Sequence, residues 1–425
     1  MQAAGHSASN DAPDGASDGA LGEAIAARLL ELAAITDEPG HLTRLYLSPA
    51  HRKAADLVAG WMREAGMTAR IDALGNVIGR YDAGDPAART LVLGSHIDTV
   101  RDAGRFDGAL GIVTAVEAVK AAFKSGKRFP FAIEVVAFGD EEGVRFPSTL
   151  GGSKALAGTF DASALDQTGD DGHSRRQALI AFGCDPSRLR ELTLSPDRTL
   201  GYVEVHIEQG PVLEQENLPV GIVTAIAGVT RAAVEIDGVA GHAGTVPMSM
   251  RKDALMAAAE MLLAIEAAAR SRPNLVATVG KLDVPGSAAN TIPGRVRFTL
   301  DIRSPSDQER SEATAEIRQS LDAIAARRGV SARVLVGHEA PAAVCDRRLS
   351  DQLAAAVESF GIAPRRLPSG AGHDAMAFDK IIPFAMLFVR CRGGVSHNPD
   401  EYASPADIDI AARVLLSFLE RIGTQ

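Results

Sequence analysis

Residues 89–96, RTLVLGSH, and 130–140, PFAIEVVAFGD, are apolar runs that end in polar or ionisable residues, and between them lies 111–123, GIVTAVEAVKAAF. The outer runs read as strands. The middle one spaces its apolar residues at helical intervals. Strand, helix, strand with continuous apolar strands is the unit of an α/β domain whose sheet is largely buried. In such sheets, sites gather beyond the carboxyl ends of the strands. His96 ends the first strand with Asp98 just beyond it, and Glu141 and Glu142 follow the second.

Upstream, residues 21–35 and 50–66 have helical spacing, and 68–81, TARIDALGNVIGRY, reads as a hairpin around a Gly-Asn pair. Downstream, the strand-like 220–228 and 230–238 precede a long helix from about 250 to 270. Then come strands in 274–284 and 294–304, a helix from about 306 to 328, and the strand 332–338. Two helices among about five strands predict a ferredoxin-like α+β unit. The segments 352–360, 381–390 and 406–422 return to the α/β style. The predicted organisation is a disordered lead over 1–20, a catalytic domain in two parts (21–221 and 339–425), and an insertion over 222–338. There is no internal repeat and no convincing GxGxxG.

Composition bounds the function. A chain of 425 residues with 46% hydrophobic and 23% charged residues is long enough for two packed cores. Its net charge of -10, with no dense Lys/Arg cluster, argues against a nucleic-acid partner. No apolar run approaches a membrane span. The small, polar, acidic first twenty residues lack the features of a signal peptide. Cys184, Cys345 and Cys391 are far apart and in no CxxC pair, which suits a reducing cytoplasm.

The ionisable residues at the strand ends carry the chemistry. His96 and Asp98 stand two apart in GSHIDTV, where extended backbone would put them on one face, so that the Asp98 carboxylate could take the imidazole N–H. Asp107 lies in the glycine-rich turn GRFDGALG. Glu141 and Glu142 are adjacent in GDEEGVRFP and are expected to point in different directions. VEVHIEQG adds His206, and GGVSHNPDE adds His397. Alone, each has a plain structural reading as a core histidine, a helix cap or a solvated strand end. Together, at the expected end of one sheet, they suit two metal ions held close together. Such a pair needs a bridging carboxylate, nitrogen or oxygen ligands on each side, and a spare carboxylate to take a proton from water.

Nine ordered motifs, HIDTV, FDGALG, GDEEGVRFP, HIEQGPVLE, GHAGTVPM, NTIPG, DIRSP, SGAGHDA and GGVSHNPDE, resemble the hydantoinase/carbamoylase family of amidases over about residues 22–422. That family includes N-carbamoyl-L-amino-acid hydrolases, allantoate amidohydrolases and β-ureidopropionases, and is related to di-zinc aminopeptidases. The resemblance implies an aminopeptidase-like α/β catalytic domain with an inserted ferredoxin-like α+β lid and dimerisation domain. It further implies that His96, Asp107 and His206 hold one divalent ion and that Asp107, Glu142 and His397 hold the other. Zinc or manganese is expected, with cobalt or nickel compatible. Glu141 would be the general base and then acid, with Asp98 supporting catalysis. His242 would reach the partner subunit's site in a homodimer and polarise the scissile carbonyl. Gln209, Arg231, Asn290 and Arg303 would contact a ureido or carbamoyl carboxylate substrate, with Arg303 as the carboxylate clamp. His373 and Asp374 receive no role. Related peptidases place a carboxylate where this chain has His206, which favours an amidase. The alternatives are an aminopeptidase or dipeptidase of the same clan, and a metal-binding module without catalysis.

Overall fold

In the computed structural model, which describes residues 19–422, strands Thr90–His96 and Ala132–Phe138 pair in parallel and helix Ala109–Lys124 crosses between them. Nearly every residue of both strands is buried, which is why their sequences are apolar on both faces. The helix is mostly apolar for a similar reason, its charged residues being Glu117, Lys120 and Lys124. It packs on the sheet and is covered by helices Ala20–Ala33 and Pro405–Ile422.

These strands lie in a nine-stranded sheet. Its order is Thr68–Ile71, Val77–Tyr81, Ala132–Phe138, Thr90–His96, Thr199–Ile207, Phe384–Val389, Val220–Ile226 and Ala343–Val344, with Arg366–Ser369 also on Val220–Ile226. Four neighbouring strands in the middle, from Ala132–Phe138 to Phe384–Val389, run parallel. Their carboxyl ends therefore open along one edge of the sheet. The hairpin expected at 68–81 forms, and the Asp72 carboxylate stabilises its turn by accepting from the Leu74 and Asn76 amides.

A second, five-stranded antiparallel sheet comprises Gly228–Asp237, Val276–Thr278, Leu282–Asp283, Arg295–Ser304 and Ser331–Ala340. Helices Ala254–Arg270 and Asp307–Arg328 pack on one of its faces around Val234, Met261, Phe298, Ile302, Ile317 and Leu321. Strand Arg295–Ser304 alternates buried and exposed residues, which puts Arg297, Thr299, Asp301 and Arg303 on the face away from that core.

The boundary at 222 needs correction. Val220–Ile226 belongs to the large sheet, antiparallel to Phe384–Val389, and the chain enters the small sheet only at Gly228. The run VGIVTAI is apolar on both faces, as a doubly covered strand must be, whereas Gly228–Asp237 alternates. The small sheet likewise persists to Ala340, past the expected end at 338. The predicted lead over 1–20 lies outside the described residues except for Gly19 and Ala20, and Ala20 already opens the first helix. Among the described residues no helix is long and apolar enough to cross a membrane.

Candidate metal centre

The parallel strand ends bring the predicted ligands together. His96 closes Thr90–His96, and His206 is the penultimate residue of the adjacent Thr199–Ile207. Asp107 comes from the loop before helix Ala109–Lys124, Glu142 follows Ala132–Phe138, and His397 follows Phe384–Val389. The Asp107 carboxylate divides its two oxygens. Oδ1 lies 3.5 Å from His96 Nε2 and 3.1 Å from His206 Nε2, while Oδ2 lies 3.2 Å from His397 Nε2. Glu142 Oε2 is 3.8 Å from the same His397 nitrogen. Two clusters thus share Asp107: His96–Asp107–His206 and Asp107–Glu142–His397, each with its ligand atoms within 4.8 Å of one another.

The second nitrogens of the buried imidazoles are already satisfied. His96 Nδ1 donates to the Asp98 carbonyl at 2.9 Å, and His206 Nδ1 donates to the Ile207 carbonyl at 3.0 Å. This fixes the tautomer that leaves Nε2 as a lone-pair donor toward Asp107, the arrangement of ligating histidines. His206 Nε2 is buried and has no hydrogen-bond partner among the described residues. Gly108 is required beside this group. It sits at φ +65, and a Cβ there would lie 2.5 Å from the His96 ring.

Electrostatics point the same way. Burial alone would raise Asp107, but the three imidazoles that face it, those of His206, His397 and His96, hold it well below the usual carboxylate range. Burial would lower His96 and His206, yet Asp107 raises both. Burial drives Glu141 well above the carboxylate range, reinforced by Glu142, Asp374 and Asp98 and opposed by His96. Burial likewise pushes Glu142 up to about 7. Among the described residues no lysine or arginine pairs with Asp107, Glu141 or Glu142. The cluster therefore has an excess of buried negative charge that divalent cations would neutralise, and its imidazole and carboxylate donors fit such ions.

Two local expectations are corrected. The Asp98 carboxylate does not take the His96 N–H. The strand ends at His96, so the alternation that would align the two side chains stops there, and it is the Asp98 backbone carbonyl that accepts. The carboxylate instead accepts from the Glu141 and Glu142 amides at 3.2 and 3.3 Å and so fixes the segment carrying both glutamates. Nor do those glutamates diverge. Asp140 adopts φ +69 after the strand has ended, and Glu141 and Glu142 both reach the space beside His96.

Gln209 reaches the centre: its Nε2 donates to Asp107 Oδ2 at 3.1 Å, and its buried Oε1 has no partner among the described residues. Arg303 holds Asp301 through Nε and Nη2, at 2.7 and 3.1 Å, and donates through Nη1 to the Gly370 carbonyl at 2.7 Å. Arg231 also donates to Asp301, at 2.9 Å. Gln209 and Arg303 line one cavity of about 620 Å³ with Val276, Leu367 and Gly370, and Arg231 and Arg303 line a second of about 780 Å³ on the small sheet. His242 and Asn290 belong to neither Asp107 cluster and lie on adjoining segments of the small domain. His242 pairs with Thr291, and the Ala243 amide donates to the Asn290 carbonyl at 2.8 Å.

Sequence reasoning missed Ser396 and Glu401, which hydrogen-bond around Asp107, and Glu204, which lies beneath His206. Glu204, His206 and His373 form a further candidate cluster. However, the Glu204 oxygens accept from Ser95 Oγ and the Ala375 amide, and His373 Nε2 meets Ser369 Oγ at 2.7 Å. His373 packs edge-on against the His206 ring, with centroids 4.4 Å apart.

With the geometry in place, comparison with known families is decisive: residues 92–421 match the model of peptidase family M20/M25/M40. The chain belongs to this family. It also belongs with the hydantoinase/carbamoylase amidases. Allantoate deiminase 1 of Glycine max is 42% identical across 95% of this chain and 90% of that protein. The N-carbamoyl-L-amino acid amidohydrolase of Geobacillus stearothermophilus is 41% identical across 93% and 97%. The crystal structure of a hydantoinase/carbamoylase family amidase from Burkholderia multivorans superposes with a TM-score of 0.89, at 34% identity, over 94% and 97% of the two chains.

Proposed function

We propose that this M20 amidase hydrolyses the carbamoyl or ureido C–N bond of a small carboxylate, an N-carbamoyl-L-amino acid or allantoate, and releases ammonia. The observation that carries the reading is the Asp107 carboxylate, whose Oδ1 faces His96 and His206 and whose Oδ2 faces His397. That is the donor pattern for two divalent ions, zinc or manganese, with cobalt or nickel compatible. Ions so held would polarise the scissile carbonyl and lower the pKa of the attacking water.

The chain's own groups account for the proton traffic. Glu141 belongs to the His96–Glu141–Glu142 cluster but is not needed to complete either Asp107-centred set. It is thus free to take the proton of the attacking water and pass it to the departing nitrogen. Asp98 holds Glu141 in place through its amide. The unpartnered Gln209 Oε1 suits an N–H of the substrate's ureido group, which a simple ester would not offer. His242 and Asn290, both exposed and beside the two-stranded pairing of Gly241–His242 with Thr291–Ile292, would complete the site of a second copy, with His242 donating to the carbonyl oxygen in a homodimer. Three free thiols suit a cytoplasmic setting.

The reading is tested by loading the protein with Zn²⁺ or Mn²⁺ and following ammonia release from allantoate, several N-carbamoyl-L-amino acids and N-carbamoyl-β-alanine. Ammonia in step with substrate loss from at least one of them is expected. Cleavage of dipeptides with no ammonia from any ureido compound would favour the peptidase alternative.

Substrate anchoring gives a second expectation. Arg303 is half-buried and already oriented by Asp301, with Arg231 on the same carboxylate. A guanidinium held in this way can fork onto a substrate carboxylate, and a lysine cannot reproduce the fork. Arg303→Lys is expected to lower kcat/KM on the acid substrate by about 2 kcal/mol or more, with metal content unchanged. Steady-state kinetics on the acid and on its amide analogue check this, and the mutant should discriminate between the two far less than the wild type.

A further inference from the structure

We propose that Glu401 is the positioning residue that sets the Asp107 carboxylate and His397 for the ion on the Oδ2 side of the centre; the inference rests on the two-ion reading above. Glu401 is only 2% exposed, and its hydrogen bonds go to the segments that carry those two ligands. Oε1 accepts from the Phe106 amide at 2.8 Å and from the Asp107 amide itself at 3.0 Å. Oε2 accepts from Ser396 Oγ at 3.1 Å, and that hydroxyl also lies 3.2 Å from Asp107 Oδ2. Gln209 Nε2 closes the ring by donating to Ser396 Oγ at 2.8 Å and to Asp107 Oδ2 at 3.1 Å.

The chain on either side is shaped to permit this contact. Glu401 ends the turn that follows His397, closed by its own amide donating to the Asn398 carbonyl at 3.0 Å, and His397, just before that turn, adopts φ +54. On the other side, Gly104 has no room for a side chain. A Cβ there would lie 2.3 Å from Glu401 Cβ and 2.4 Å from Oε1. One buried carboxylate therefore ties the loop bearing Asp107 to the turn bearing His397. Residues that orient ligands from outside the coordination shell typically contribute about 10–100-fold to metal affinity.

The test is Zn²⁺ titration of the metal-free full-length chain against a chromophoric chelator, for wild type, Glu401→Ala, Glu401→Gln and Gly104→Ala. In Glu401→Ala one of two ions should weaken by about 10–100-fold and the other, which shares only Asp107 with it, by clearly less. Glu401→Gln keeps an acceptor for both amides and a donor toward Ser396, so it should bind both ions nearly as the wild type does. Gly104→Ala should repeat the alanine phenotype by displacing Glu401, and it carries the test if Glu401→Ala does not fold. Equal weakening of both ions would indicate general damage and overturn the positioning role, as would two undiminished ions in Glu401→Ala. A wild-type chain that takes up a single ion would instead bring down the two-ion reading on which the proposal stands.

Discussion

Glu141→Gln is expected to lose turnover by about 10²–10⁴-fold, roughly 3–5 kcal/mol of barrier, while its metal content stays at the wild-type level. The mutation removes a proton acceptor without removing a ligand, because His96, His206, Glu142 and His397 gather around Asp107 without it. Glu142→Gln is the control. Glu142 faces His397 at 3.8 Å, so its loss should lower metal content first and activity as a consequence. Metal analysis beside steady-state kinetics separates the two variants. If Glu141→Gln lost metal while Glu142→Gln kept it, the roles assigned to the pair would be reversed.

Asp107→Ala should have the larger effect. This carboxylate is the one group common to both clusters, and the three imidazoles point their Nε2 atoms at its oxygens. On the proposed two-ion reading, removing it would take a ligand from each ion at once. The affinity loss should therefore exceed the roughly 10–100-fold typical of outer partners, and should affect both ions. Activity is expected to fall below that of Glu141→Gln, and added Zn²⁺ or Mn²⁺ should restore it poorly. Metal counting after exhaustive dialysis checks the prediction. A variant that retained one tight ion and measurable turnover would mean that Asp107 does not bridge.

The parts of this centre that follow strand periodicity could be read from sequence. RTLVLGSH and PFAIEVVAFGD are apolar on both faces because both faces are covered, and so His96 and the Glu141–Glu142 pair could be assigned to one sheet edge. Legibility ended where the strands end. The regular strands stop at His96 and Phe138 and Asp140 takes φ +69, so alternation misassigned the Asp98 carboxylate and the directions of the two glutamates. The boundary near 222 was misjudged because Val220–Ile226, although next to the alternating strand in sequence, is buried on both sides in the other sheet. Glu401 could not be found from local spacing, since its partner Asp107 lies 294 residues away and only the folded sheet joins them. His242, Asn290, Arg231 and Arg303 came from family motifs, not from periodicity. Within one chain the fold holds both arginines on Asp301, pairs His242 with Thr291, and leaves the metal centre to the strand ends.

The most direct test of the bimetallic centre is an anomalous difference map from crystals of the protein loaded with zinc or manganese. Two peaks are predicted on opposite sides of the Asp107 carboxylate, one within ligand distance of His96 and His206 and the other within ligand distance of Glu142 and His397, at about 2.0–2.2 Å for zinc. A single peak, or a peak held by Glu204, His206 and His373 in place of Asp107, would contradict it.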